Sequence, residues 1–313
     1  MLIPVLQFVA GFVALFYGGD ILVKGSASLA ARFGMSPLVI GLTIVAFGTS
    51  APEFAVSLSA ASRNATDISI GNVVGSNIAN IGLILGISAL IKPMKVESKI
   101  IRYYLPPVLL ITCLLSFFLV NRQISRPEGI IFCVLLLAYI ALTFWDARSE
   151  KAGVVAEFDA ATPAATTVPW LQVGSIVAGL VLLVFGGKIL VDACVEIATM
   201  IGVSQAIIGL TIVAVGTSLP ELTTSLIAAL RGYGDMAIGN VIGSNLFNIL
   251  AILGITAIYK PLNATGVGLV DTGVMVLLTA LMAVFLVTGR HFARLEGGIL
   301  LLVYTAYTLW LVN

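Results

Sequence analysis

Apolar residues along this chain come in long blocks rather than in alternation or narrow helical stripes. Ten blocks approach or exceed the ~20 apolar residues that carry a helix across a bilayer. They fall at 3–23, 36–60, 68–91, 103–120, 128–145, 170–191, 204–229, 237–259, 267–288 and 294–312. Polar residues gather in short joints between them. The one long joint, residues 146–168, is polar and rich in Ala, Thr and Pro, and it separates five blocks from five. It is too short to hold a folded regulatory domain.

The pattern also repeats. Residues 41–86 open GLTIVAFGTSAPEF and close GNVVGSNIANIGLILG, while residues 209–254 open GLTIVAVGTSLPEL and close GNVIGSNLFNILAILG. The offset is 168 residues with no gap, and 29 of the 46 positions are identical. A weaker pair, Tyr17-Gly18-Gly19-Asp20 and Phe185-Gly186-Gly187-Lys188, keeps the same offset and extends the duplication over each half. Five blocks is an odd number, so the second half must enter the membrane from the opposite face. The expected fold is an all-α membrane protein of ten transmembrane helices. These form two inverted five-helix repeats, residues 1–145 and 169–313, with broken helices at the midplane, the plan of many secondary transporters.

Composition narrows the class further. The chain is 59% hydrophobic and 10% charged, against about 25% charged in soluble domains. Lipid is its expected surroundings, and a net charge of +1 without a basic patch gives no reason to expect a nucleic-acid partner. The first twenty residues lack a positive leader region, so a cleaved signal peptide is not expected.

Lys and Arg set the orientation. One group of joints holds eleven of them: Lys24, Arg32, Lys92, Lys95, Lys99, Arg102, Arg148, Lys151, Arg231, Arg290 and Arg294. The other holds five: Arg63, Arg122, Arg126, Lys188 and Lys260. The first group, with the 146–168 linker, is expected in the cytoplasm, with both termini outside a cell (inner) membrane. Cys113, Cys133 and Cys194 sit singly in apolar blocks and read as packing residues, and His291 reads as a solvated loop residue.

Candidate chemistry lies in the duplicated stretch. Gly48-Thr49-Ser50-Ala51-Pro52-Glu53 and Gly216-Thr217-Ser218-Leu219-Pro220-Glu221 each put a carboxylate deep in an apolar block. An ionisable group there is costly and marks a functional path by default. Proline breaks a helix by removing an N–H and crowding the carbonyl four residues back. Carbonyls near Ala46–Thr49 and 214–217 are therefore expected without helical partners, which a bilayer tolerates only inside protein or beside water.

Downstream, Ser76 with Asn80 and Ser244 with Asn248 are four apart and share a helix face. The pairs Gly71/Gly75 and Gly239/Gly243 read as small residues for close packing. Carbonyls, hydroxyls and carboxylates make an oxygen-only set, suited to hard cations such as Ca²⁺ and Na⁺. If inverted copies meet at a pseudo-two-fold axis, Glu53 and Glu221 face each other. Uncompensated, they would repel and take up protons; one Ca²⁺ cancels both charges.

At these residues the chain resembles the sodium/calcium exchanger family of calcium/cation antiporters. The resemblance covers both halves through the duplicated GTSxPE and GNxxGSNxxN motifs. It implies alternating access around a central cation cluster, electrogenic exchange of Ca²⁺ for Na⁺, and a single chain as the transporting unit. It implies no enzyme activity and no cofactor. By matching position, Glu53 and Glu221 would be shared Ca²⁺ and Na⁺ ligands, joined by the carbonyls of Ala46, Thr49, Ala214 and Thr217. Side chains of Ser50, Ser76, Ser218 and Ser244 would complete flanking Na⁺ sites, and Asn80 and Asn248 would line the middle.

Two departures favour Na⁺ as counter-ion over a K⁺-dependent or proton-coupled alternative. The potassium-dependent branch has Asp where this chain has Asn248, and the proton branch has an acid in the segment matching 71–77. The long regulatory region of animal members is also missing, so calcium regulation of that kind is not expected. A channel could use the same oxygens but would not need two deep charges neutralised before a gate moves. An aspartyl protease is suggested only by Gly232-Tyr233-Gly234-Asp235, which lacks a second membrane aspartate in a suitable place.

Overall fold

The computed structural model describes residues 2–149, 169–202, 214–289 and 291–312, and these are helical almost throughout. The helices are α1 Leu2–Phe33, α2 Pro37–Thr49, α3 Ala51–Ser62, α4 Thr66–Ile91, α5 Ile100–Asn121 and α6 Arg126–Ser149 in the first half. The second half has α7 Pro169–Met200, α8 Ala214–Gly216, α9 Leu219–Leu230, α10 Gly234–Tyr259, α11 Leu269–Gly289 and α12 Arg294–Val312. Among the described residues, seven helices are long and apolar enough to cross a membrane, or eight when the bent pair α2–α3 counts as one span. The expected span at 204–229 falls partly on residues 203–213, outside the described residues.

Two expected ends move. α1 runs to Phe33 rather than stopping near residue 23, because Lys24 and Arg32 are good helix formers and a charge does not end a helix. Gly34 ends it. With φ +63° it sits where a side chain is strained, its N–H bonds Ala31 O, and the Met35 N–H bonds Ala30 O, closing the last turn as a Schellman motif does. α7 likewise runs to Met200, stopped by Gly202 at φ +83°, the residue 168 positions after Gly34. The next stops also match: Asn64 (φ +64°) follows α3 and Gly232 (φ +90°) follows α9.

α1 and α7 pack along their length, and glycines let them touch. A Cβ on Gly11 would lie 2.7 Å from Leu190 N and 2.9 Å from Gly186 O; one on Gly179 would lie 2.7 Å from Leu22 N and 2.8 Å from Gly18 O. The pair and its close neighbours share an apolar cluster that includes Leu15, Leu22, Ile176 and Leu183, separate from a larger core to which α1 adds Val23 and Ala27. Their outer faces carry exposed Ile3, Phe8, Phe12, Val177 and Phe185, a face suited to lipid.

Two short ribbons tie the halves together. β1 (Met94–Lys95) pairs antiparallel with β4 (His291–Phe292), and β2 (Gln123–Ile124) pairs with β3 (Leu262–Asn263). The two pairings are images of each other under the 168-residue offset. Asp67 follows the same rule, accepting from Thr265 N at 2.7 Å, while Asp235 accepts from Glu97 N at 3.4 Å. Asp235 thus ties the start of α10 to the joint at Glu97, as Asp67 ties α4 to the joint at Thr265.

Among the described residues, the joints that touch one another do so within the two charge groups. Asp20 pairs with Lys24 and Arg231, Lys92 donates to Leu230 O, and Lys95 lies opposite His291. In the other group, Lys260 donates to Asn64 and Gln123 lies opposite Asn263.

Candidate cation site

The polar centre is built where helices break or widen. Ser50 (φ −79°, ψ +6°) interrupts the chain between α2 and α3, which bend by 43°. Pro52 explains the position, since it has no N–H to give to Gly48 O, four residues back. The break comes later than expected, because Ala46 O still accepts the Ser50 N–H at 3.1 Å. In the second copy the Ser218 N–H goes to Val215 O instead, at 3.1 Å. Wider π turns run over Gly41–Val45, Asn80–Leu85 and Asn248–Leu253, so both candidate asparagines open one. Such turns are frequent at functional sites.

These breaks bring the two acids into one buried centre. Glu53 and Glu221 are each 1% exposed, and they lie within electrostatic range of each other. Each is held by a serine of the opposite half: Ser50 Oγ donates to Glu221 Oε1 at 3.1 Å, and Ser218 Oγ donates to Glu53 Oε1 at 3.3 Å. Thr217 and Thr49 stand beside the same two carboxylates. Among the described residues, the second oxygen of each acid, Oε2, is buried without a hydrogen-bond partner, as are Asn80 Oδ1, Asn248 Oδ1 and Ser244 Oγ. Among the described residues neither acid forms an ion pair, and no cluster of three His, Cys, Asp or Glu side chains could hold a metal by itself.

Burial without a partner costs a carboxylate several kcal/mol, and a bound cation removes that cost. The unpartnered atoms are all oxygens. That donor set fits Ca²⁺ and Na⁺ and offers nothing to a soft metal.

Of the expected residues, Ser50, Ser218, Thr49 and Thr217 gather around the acids, and Ser76, Ser244, Asn80 and Asn248 are buried on α4 and α10. α3 packs on the π turn that starts at Asn248, and α9 packs on the one that starts at Asn80. Ala46 lies where α2 meets Gly243, whose Cβ would stand 2.7 Å from the Ala46 Cβ and 2.7 Å from Leu42 O. Gly239 and Gly243 thus serve packing, as their spacing implied. Among the described residues, a Cβ on Gly71 would meet only Val267 Cγ2 at 3.9 Å and one on Gly75 would meet nothing within 4 Å, so the same close packing is not seen there.

Sequence reasoning missed three matched pairs. Asn72 Nδ2 donates to Glu53 O (3.2 Å) and Ser57 Oγ (3.0 Å), and Asn240 Nδ2 donates to Glu221 O (3.5 Å) and Ser225 Oγ (2.9 Å). Thr49 Oγ1 in turn donates to Asn240 Oδ1 at 3.4 Å. Asn77 and Asn245 meet across the interface between halves. The available signal was repetition itself: Ser57 to Asn72 and Ser225 to Asn240 have the same spacing.

Known proteins agree with this architecture. The family profile described as "Sodium/calcium exchanger protein" matches residues 3–145 and 171–313. The sodium/calcium exchanger MaX1 of Methanosarcina acetivorans is 36% identical over 332 aligned positions, covering 95% of each chain. The inner membrane protein YrbG of Escherichia coli K12 is 34% identical, covering 99% of this chain and 96% of its own. A solved structure of the sodium-calcium exchanger NCX_Mj, soaked without Na⁺ and Ca²⁺, superposes with a TM-score of 0.86 at 32% identity, covering 99% of both chains. Two acids in one buried oxygen cage, on a duplicated helical frame matched from end to end, place the chain in the sodium/calcium exchanger family.

Proposed function

We infer that this protein is a membrane antiporter that moves Ca²⁺ against Na⁺ by alternating access at the Glu53–Glu221 centre. The observation that carries this reading is the pair of buried carboxylates, each bound by a serine of the other half and each left with one unpartnered oxygen. Glu53 and Glu221 are shared ligands of both ions. The carbonyls of Ala46, Thr49, Ala214 and Thr217 join them, Ser50, Ser76, Ser218 and Ser244 complete flanking Na⁺ sites, and Asn80 and Asn248 line the middle.

Ten helices in two inverted five-helix repeats, residues 1–145 and 169–313, are the frame that best accounts for the 168-residue pairing rule. The sorting of joints by contact supports one face for the Lys- and Arg-rich group. That face is assigned to the cytoplasm, together with the 146–168 linker, and both termini to the outside.

Charge explains the coupling. An empty centre with both acids ionised would carry two negative charges through a closed, dehydrated state, which is costly. One Ca²⁺ or enough Na⁺ neutralises it, so exchange is obligatory and leak is small. Three Na⁺ per Ca²⁺, the ratio implied by the family, moves one net charge per cycle. Purified protein in proteoliposomes should take up Ca²⁺ when an outward Na⁺ gradient is imposed and not when a K⁺ or proton gradient replaces it. An imposed membrane potential should change the rate, and indifference to potential would rule out that ratio.

Asn248 sets the ion requirement. An acid there would add a third charge for an extra monovalent cation to balance, whereas an amide is neutral. Asn80 is neutral too, which leaves no electrostatic demand for K⁺. Na⁺-driven Ca²⁺ uptake is expected to be unchanged in potassium-free medium with choline as the replacement. Collapse of uptake that K⁺ restores would refute this role for Asn248.

A further inference from the structure

A cation in the centre needs oxygens from Asn80 and Asn248, yet a primary amide has two faces. Turned by half a rotation, each side chain would aim an NH₂ at the ion with almost no change in shape. Something must select the oxygen, and the asparagines three residues earlier can do it. Asn77 Nδ2 faces the backbone carbonyl of Asn245 at 3.4 Å, and Asn245 Nδ2 faces the carbonyl of Asn77 at 3.4 Å.

A backbone carbonyl can only accept, so each of these amides must place its nitrogen there. Their oxygens then point the other way, where Asn77 Oδ1 meets Asn248 Nδ2 at 3.0 Å and Asn245 Oδ1 meets Asn80 Nδ2 at 2.9 Å. With the NH₂ of both ligand amides engaged, Oδ1 of Asn80 and of Asn248 is left buried and without a partner among the described residues. Orientation passes from a fixed carbonyl, through one amide, to the next. Each half sets the ligand of the other.

We propose that Asn77 and Asn245 are positioning residues for cation binding, which lock the amides of Asn248 and Asn80 with oxygen toward the ion. This rests on the reading that Asn80 and Asn248 line the cation site, and it adds how their chemistry is made cation-selective.

A carboxylate offers oxygen whichever way it turns, which gives a direct test. Ca²⁺ binding to the purified full-length protein is measured by calorimetry in sodium-free buffer, with the half-saturation of Ca²⁺ uptake measured in proteoliposomes. Asn77→Leu is expected to weaken Ca²⁺ about tenfold or more in the parent chain, as leaving a buried polar group misplaced does. In an Asn248→Asp background the same change should cost less than about threefold, because no amide remains to orient. A purely structural role for Asn77 predicts equal losses in the two backgrounds, and equal losses, or none in the parent, would overturn the proposal.

Should Asn77→Leu fail to fold, the mirror pair, Asn245→Leu with and without Asn80→Asp, carries the same comparison. Asn248→Leu separates the two levels. Unchanged Ca²⁺ binding in that variant defeats the site assignment, and the lock with it. Lost binding there, with equal losses for Asn77→Leu in both backgrounds, defeats the lock alone.

Discussion

Glu53→Gln or Glu221→Gln should reduce Na⁺-driven Ca²⁺ uptake to background. Each variant keeps the shape and one oxygen but removes one of the two charges that balance a divalent ion in a buried site. Losing one partner of a buried charge pair typically costs ~3–5 kcal/mol, which is about two to three or more orders of magnitude in binding. Both serine contacts, Ser50 to Glu221 and Ser218 to Glu53, use an oxygen that glutamine retains, so the protein should still fold. Protons compete with cations for the same carboxylates, so wild-type uptake should fall as pH is lowered at constant Ca²⁺. Near-normal uptake by either variant, per mole of reconstituted protein, would refute the site.

The helix pair α1–α7 should respond to a single added methyl group, with a sign set by position. Gly→Ala inside a helix ordinarily gains up to ~1 kcal/mol from backbone propensity. At Gly11 and Gly179 the new Cβ would instead stand 2.7 Å from a backbone nitrogen of the partner helix. Backbone cannot rotate aside, so the helices must separate, and overpacking of this kind costs ~1–3 kcal/mol. Gly187 is the internal control, since its Cβ would find Leu15 Cδ2 at 3.8 Å and Leu219 Cβ at 4.0 Å, ordinary contacts. Thermal unfolding in detergent should show Gly11→Ala and Gly179→Ala melting several degrees lower, their combination lower still, and Gly187→Ala unchanged or higher. Equal melting of all three single variants would refute the close approach.

What was legible in the sequence follows from what repeats. Glu53 and Glu221 could be placed together because inverted copies of one acid meet at the axis that relates them, whereas the crossing of Ser218 to Glu53 and of Ser50 to Glu221 had no sign in the sequence. Gly239 and Gly243 pack closely as their spacing implied, but Gly71 and Gly75 have the same spacing and, among the described residues, no such contact. Other features left less trace. The π turns at Asn80 and Asn248 carry no residue signature, because the extra residue per turn is a response to packing.

The break after α2 was visible in Pro52, but its consequence was misplaced. A missing N–H at 52 affects the carbonyl of Gly48, and Ala46 O keeps its helical partner. Helix α1 looked shorter because hydropathy falls after Val23, whereas the helix ends where the backbone turns left-handed at Gly34. Asn72 and Asn240 were hidden by distance along the chain, since their serine partners sit 15 residues away across a turn.

The reciprocal pairing of the halves has a consequence for biosynthesis. Met94 waits for Phe292, Asn80 for Asn245, and Glu53 for Ser218. When the first half leaves the ribosome and enters the bilayer, none of these partners has yet been made. Its acid must pass that interval protonated, hydrated or sheltered by the insertion machinery, and its amides hydrated or sheltered, because lipid offers them nothing. The polar centre therefore cannot be completed until residue 248 has been made, and a ribosome stalled before residue 218 leaves in the membrane a helical fragment whose acid lacks its serine partner. Such a fragment is what membrane quality control would be expected to recognise and extract.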